Sequence, residues 1–257
     1  MTVATFQTAI DGVNPFVVEG PATLGSGVIV PQYRAGHVAY GDAETEWVYC
    51  KYTSVSNQTL SPGLLFTVDD DFNATLLTTA NSPRGSKVMA CGVGLGIGGQ
   101  SQATVTGSVY YMWLARAGQM PIAYTTVATV GNLAETTATG GAANFPNAAT
   151  VTAKLITGLY VTKAVGGTFT GDVTSGSTQV INLSGLTADS GPSWIGSTLS
   201  ATGIASSQTI TAIQYIGTKA VSLTLSANAT VTGTAVTITN SLVAQARIMW
   251  PYVDKTN

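Results

Sequence analysis

The segment Glu46-Trp47-Val48-Tyr49-Cys50-Lys51-Tyr52-Thr53 decides how the whole chain is read. Aromatic and β-branched side chains suit a pleated, half-buried surface. The apolar residues here run together instead of recurring at intervals of three and four, so the segment is read as a strand. Successive side chains of a strand point to opposite faces, which puts Trp47 and Tyr49 on one side. The same parity joins Tyr111 and Trp113 in the run 108–115, and each pair is expected to help build one core.

Working outward, short runs of this kind recur between Gly, Pro, Asn and Ser residues, at 27–30, 64–68, 74–79, 87–92, 122–129 and 155–162. Their spacing is that of an all-β sandwich or barrel. Residues 130–147, rich in Gly, Ala, Thr and Asn, are read as a long loop. Near Gly166 the texture changes, and through Asn240 the chain runs on Thr, Ser, Gly, Val and Ile with only Asp172, Asp189 and Lys219 charged. Five short strands are expected there, at 178–183, 198–201, 209–215, 221–225 and 235–238. A heavier, aromatic texture returns from Val243 to Val253. The expected organisation is a sandwich- or barrel-like main β domain over 1–165, completed by 241–257 and interrupted by a smaller β-sandwich over 166–240, because a loop tip tolerates insertion of a unit whose ends lie close together.

Only 9% of the 257 residues are charged, against roughly 25% in an ordinary soluble domain, so much of the surface must be Thr, Ser, Asn, Gln and Gly. A net charge of −2 with 45% hydrophobic residues is the balance of a folding chain. Nucleic-acid binding needs clustered cations to displace counterions from phosphates, whereas the ten Lys and Arg residues are scattered from Arg34 to Lys255. No apolar run approaches the roughly 20 residues that span a bilayer; the smoothest, 88–97, is broken by glycines. The first eleven residues carry neither the basic start nor the apolar stretch of an export signal. Cys50 and Cys91 are accordingly expected as buried thiols, with a disulfide between them left open because spacing alone does not exclude adjacency.

Few residues offer chemistry. His37 is the only histidine, so imidazole catalysis has one candidate, which would need Asp42, Asp69 or another carboxylate to orient it. No Gly-x-Ser-x-Gly elbow accompanies it, and it is read as a loop or strand residue beside Arg34. Asp69-Asp70-Asp71 lacks the Asp-x-Asp-x-Asp-Gly spacing of a calcium loop and reads as a solvated hairpin turn. Asp42, Glu44 and Glu46 alternate, which on a strand would set all three on one face, toward solvent or a partner's basic patch. One histidine and two separated cysteines make no zinc spacing. Trp47, Tyr49, Tyr52, Tyr110, Tyr111, Trp113, Trp250 and Tyr252 would serve either as a carbohydrate platform or as core, and their parity favours core. No catalytic, cofactor-binding or metal-binding residue is assigned.

Several stretches follow one another in a telling order: Tyr40-Gly41-Asp42, Trp47-Val48-Tyr49-Cys50-Lys51-Tyr52, Val68-Asp69-Asp70-Asp71, Cys91-Gly92-Val93-Gly94-Leu95-Gly96, Tyr111-Met112-Trp113-Leu114-Ala115-Arg116-Ala117-Gly118, Gly158-Leu159-Tyr160 and Ala246-Arg247-Ile248-Met249-Trp250-Pro251-Tyr252-Val253. In this order, over about two thirds of the chain, the sequence resembles the capsid decoration, or cement, proteins of tailed phages. The interior stretch resembles a small β-sandwich module inserted in many phage tail and capsid proteins, on Gly171-Asp172-Val173-Thr174-Ser175-Gly176-Ser177, Ala201-Thr202-Gly203-Ile204, Gln208-Thr209-Ile210 and Thr224-Leu225-Ser226-Ala227-Asn228-Ala229-Thr230-Val231-Thr232-Gly233. It departs from that pattern at 186–195, which is longer and more polar. The resemblance implies a non-enzymatic virion protein that binds the major capsid protein as a homotrimer on the capsid exterior, after assembly in the host cytoplasm, with no cofactor, nucleic acid or membrane partner. A tail-tube or tail-fibre component, or a glycan-binding head fibre, is the alternative it leaves.

Overall fold

Every regular element among the described residues is a strand, as the β-branched and aromatic runs require. The computed structural model describes residues 13–15, 18–20, 31–41, 44–54, 58–60, 63–93, 103–105, 109–128, 130–147, 150, 152–165, 168–185, 199–205, 208–216, 219–240 and 243–256. The strand expected at 27–30, the stretch 186–195 and Asp42 lie outside them. In chain order the strands are β1 Val18–Glu19, β2 Val38–Tyr40, β3 Glu46–Thr53, β4 Gln58–Leu60, β5 Leu65–Val68, β6 Asn73–Leu76, β7 Lys87–Cys91, β8 Ala103–Val105, β9 Val109–Ala128, β10 Leu133–Thr136, β11 Ala143–Phe145 and β12 Lys154–Val165. There follow β13 Thr168–Val173, β14 Gln179–Ser184, β15 Leu199–Ser200, β16 Ile210–Ile216, β17 Lys219–Leu225, β18 Gly233–Asn240 and β19 Val243–Thr256. The chain divides into two compact units, one built on Val165–Val243 and the other on Ala4–Ala164 with Ala244–Asn257.

In the larger unit the runs 108–115 and 122–129, read above as two strands, are the single strand β9 of 20 residues. Gly118 and Pro121 do not end it, because its partners change along its length. It pairs with β1 and β3 around Tyr111 and Met112, with β3 and β7 around Leu114 and Ala115, and in parallel with β11 at Tyr124 and Ala128. Gly118 and Pro121 lie between the β3 ladder, which ends at Ala117, and the β11 ladder, which begins at Tyr124, and so residues unsuited to a continuous ladder are accommodated.

β9 also closes the sheet on itself. From β9 the pairing runs to β3, on to β6 in parallel, then to β5, to β7 and back to β9, a five-stranded barrel. A second circuit leaves β9 through β11, β10, β12 and β19 and returns to β9. Alternation then buries both faces of the shared strands. Val48, Cys50, Phe66, Met89, Met112 and Leu114 fill one core, while their odd-and-even neighbours Trp47, Tyr49, Leu65, Val88, Trp113 and Ala115 belong to the other. Two of the aromatic pairs read from parity thus stand in, or against, one core, with Tyr111 half-buried at its margin.

Residues 130–147 are not a loop. They hold β10 and β11, which pair with each other and with β12 and β9. Ala134, Ala143 and Phe145 are buried, but alanine carries so weak an apolar signal that the alternation is lost among the Gly and Thr residues.

The smaller unit is one six-stranded sheet in the order β15-β18-β13-β14-β17-β16, curled around a core that includes Phe169, Val180, Leu223 and Ile238. Its strand β13, on which the Gly171-Asp172 motif begins, was not among the expected strands. Asp172 holds the middle of this sheet: one carboxylate oxygen accepts from Asn182 Nδ2 at 2.7 Å, the other from the backbone N–H of Ala235 at 2.7 Å. Asn182 and Ala235 both have positive φ, and the registers of β13 with β14 and with β18 both slip at this point. Asp172 therefore pins an irregularity in each neighbouring strand. These two bonds hold its carboxyl below the usual carboxylate range. A depressed native pKa means that the contribution is complete above the unfolded value of about 3.9 and disappears as the pH falls through the native one. Acid is expected to lower the melting temperature of the wild type across that window. Asp172→Asn, which retains one acceptor, is expected to start lower at neutral pH and to change less, and parallel curves from pH 6 to about pH 2 would contradict this.

Candidate functional site

The closing strand β19 breaks alternation. Ile248 is buried, Met249 and Trp250 are both exposed, Pro251 is buried again and Tyr252 is out. The parity slips by one at Trp250, whose φ is +50°, a left-handed conformation that bulky side chains rarely hold. Pro251, with no N–H to donate, fits such a bulge. Opposite it lies Gly158 on β12, where an added Cβ would stand 2.5 Å from the carbonyl oxygen of Met249 and 3.2 Å from Pro251 Cα. The missing side chain of Gly158 is the space that the bulge uses. Tyr160 Oη then donates to Met249 Sδ at 2.8 Å, fixing the residue before Trp250.

The indole that results is 64% exposed and is supported on one face by Arg116, whose Cζ lies 4.7 Å from the ring centroid. Arg116 is held from below by the carboxylate of buried Glu46. Beside the indole a groove of about 290 Å³ is lined by Glu44, Ala117, Gly118, Arg247, Ile248, Met249 and Trp250. Arg247 pairs with Glu44 at 2.8 Å, both at the surface. Glu44 also has positive φ, +60°, so two non-glycine residues around this one groove hold sparsely populated backbone conformations, while Gly118 at +108° adopts one that glycine accepts freely. The expectation of three carboxylates on one solvent face is corrected accordingly: Glu44 sits in a turn, and Glu46 is buried because Arg116, on the neighbouring β9, neutralises it. Core placement is likewise corrected for Trp250 and Tyr252, which the bulge turns outward. Trp47, Tyr49, Tyr52, Tyr110 and Trp113 are buried.

Four of the stretches that order the sequence meet in this neighbourhood, joined through Glu46. Tyr40 pairs with Glu46 on β2 and β3, Glu46 pairs with Ala117 on β9, and Gly158 and Tyr160 carry the bulge of β19. No local signal marks the site in the sequence; only the Met-Trp-Pro dipeptide steps inside a strand-like run, where proline interrupts a ladder, hint at the bulge.

The other candidates are placed apart from it. His37 is exposed, its ring stacked on Tyr33 with centroids 5.3 Å apart and edge-on to Trp113, and its N–H bonds to the carbonyl of Arg34. Tyr49 donates to Glu19, and burial together with that carboxylate drives its phenol pKa upward, so the proton stays. Asp69 closes the hairpin between β5 and β6: its Oδ1 accepts from the N–H groups of Asp71 and Asn73, its Oδ2 from Asn73 Nδ2. Desolvation opposes ionisation of Asp69, but those bonds and nearby Lys87 outweigh it and lower its pKa. Asp70 pairs with Lys87 at 2.7 Å. Cys50 and Cys91 are buried free thiols, and desolvation pushes that of Cys91 up to about 12. Among the described residues no three His, Cys, Asp or Glu side chains stand close enough to hold a metal.

Comparison of the chain with protein-family models, curated proteins and solved structures found no match.

Trp250 holds its backbone at a cost of about 1–3 kcal/mol. Trp250→Gly removes that strain against a glycine entropy penalty of about 0.5–1 kcal/mol and the loss of the Arg116 stack, about 0.5–1 kcal/mol, and is expected to raise stability by about 0.5 kcal/mol in urea denaturation. A loss of similar size would show that the ring is held chiefly by packing.

Proposed function

We propose that the chain is a non-enzymatic structural protein of a tailed-phage virion, bound as a homotrimer to the major capsid protein across subunit seams on the outside of the head. The sequence resemblance suggests the setting. The structural observation that supports the role is the double closure of the larger unit on β9: two closed circuits of strands share this one strand, whose two faces are packed into two cores. A lock must be stiff to resist the parting of the surfaces that it bridges. Occupancy then adds to shell stability, since the seam opens only when the clamp has left, and several copies joined in one oligomer add avidity.

The charges of this unit fit such a lock. Among the described residues, Arg116–Glu46, Arg247–Glu44, Lys87–Asp70 and Arg84–Asp254 pair within the chain, so at these positions a partner is met by charges already answered. Binding of that kind is little screened by salt. Heads lacking the protein are expected to burst at lower temperature and milder osmotic shock than heads to which it has been added back, with binding changing less than about threefold between roughly 0.05 and 0.5 M salt. Equal resistance of bare and coated heads, or its location inside the tail tube by cryo-electron microscopy, would overturn the reading.

A further inference from the structure

The clamp proposed above does not depend on the groove beside Trp250. Its surroundings mix polar and apolar groups: the Glu44–Arg247 ion pair, with the Glu44 side chain 78% exposed, stands beside Ala117, Gly118, Ile248 and Met249. Its volume, about 290 Å³, falls just short of the roughly 300–1,000 Å³ of small-ligand clefts, which suits a single small ring. A phosphate-bearing ligand finds no spare cation here, because Arg116 and Arg247 already answer Glu46 and Glu44.

What remains is a flat, electron-rich surface with hydrogen-bonding groups at its edge. Arg116 occupies one indole face, and the ring as a whole is 64% exposed. The exposed indole surface suits the C–H groups along one side of a pyranose ring, whose partial positive charge faces the negative π-surface. The ring's equatorial hydroxyls would meet Glu44, an acceptor, and Arg247, a donor fork able to serve two adjacent oxygens. The Arg247–Glu44 pair at 2.8 Å and the Arg116 stack orient these groups before any ligand arrives, so less ordering is left for binding. We propose that this groove binds one neutral pyranose unit of a glycan, a second property of the protein independent of capsid attachment.

The test uses the full-length protein and a panel of neutral trisaccharides built from glucose, galactose, mannose or N-acetylglucosamine. Saturation-transfer NMR reads the ligand, and indole fluorescence reads the protein. At least one sugar is expected to receive saturation, strongest on the C–H groups of a single ring. Trp250→Ala should weaken binding about tenfold or more while leaving circular dichroism unchanged. Trp250→Phe should hold affinity within several-fold, and Glu44→Gln should weaken it without abolishing stacking. Tyr252→Ala, opposite Lys87 on β7, should change nothing. No transfer to any sugar of the panel would overturn the proposal, as would equal transfer to wild type and Trp250→Ala. It is also overturned if Trp250→Ala keeps the sugar but detaches the protein from heads, since the groove is then a protein contact. Heads still stabilised by a protein that binds no sugar would refute this proposal and leave the clamp standing.

Discussion

Trp113→Ala is expected to destabilise the larger unit by about 3–5 kcal/mol, the range for deleting a buried indole. Trp113 stands in the first half of β9 and is almost wholly buried. Its ring lies 5.1 Å from that of Tyr49 and 5.2 Å from that of Tyr33, with His37 edge-on at 6.0 Å. The wall to which it belongs cannot collapse into the resulting cavity, because the opposite face of the same strand is packed too: Met112 and Leu114 fill the five-stranded barrel. A site that cannot relax stays near the upper end of the range. Equilibrium urea unfolding measures the loss, with His37→Ala as a control that removes only the outermost ring and should cost less than about 1 kcal/mol. A Trp113→Ala protein within about 1 kcal/mol of wild type would show that the wall is not shared as described.

The fold was legible where the signal is local. The run 46–53 coincides with β3, and 87–92 and 64–68 come within one residue of β7 and β5. The change of texture at Gly166 stands one residue from the unit boundary at Val165. What escaped the reading depends on partners remote in sequence. Glu46 looks like one of three surface carboxylates until Arg116, 70 positions away, is placed beside it. β10 and β11 hide behind alanines that are buried only because β9 and β12 flank them. Trp250 belongs to a strand whose alternation forecasts core, and its outward turn follows from a bulge that needs Gly158 opposite. Parity reads a regular strand well, and a bulge reverses it without leaving a compositional trace.

Gly158 supplies the second large expected effect. Gly158→Ala places a methyl group 2.5 Å from the Met249 carbonyl oxygen, in a backbone conformation with φ of +83°. The obstructing atoms are backbone, so no side chain can swing aside, and either β12 or the bulge of β19 must move. Left-handed strain and overpacking each cost about 1–3 kcal/mol, and together about 3 kcal/mol is expected. Gly85→Ala in the same unit isolates the second part: its φ is +85°, yet nothing lies within 4 Å of the added Cβ, so only the conformational cost of about 1 kcal/mol applies. The difference between the two in urea unfolding measures how hard the bulge presses on β12. Since a shifted bulge also re-aims Trp250, Gly158→Ala should quench or shift its fluorescence while Gly85→Ala should not. If the two variants lose equal stability and leave the indole alike, the close approach at Gly158 is not what turns Trp250 outward.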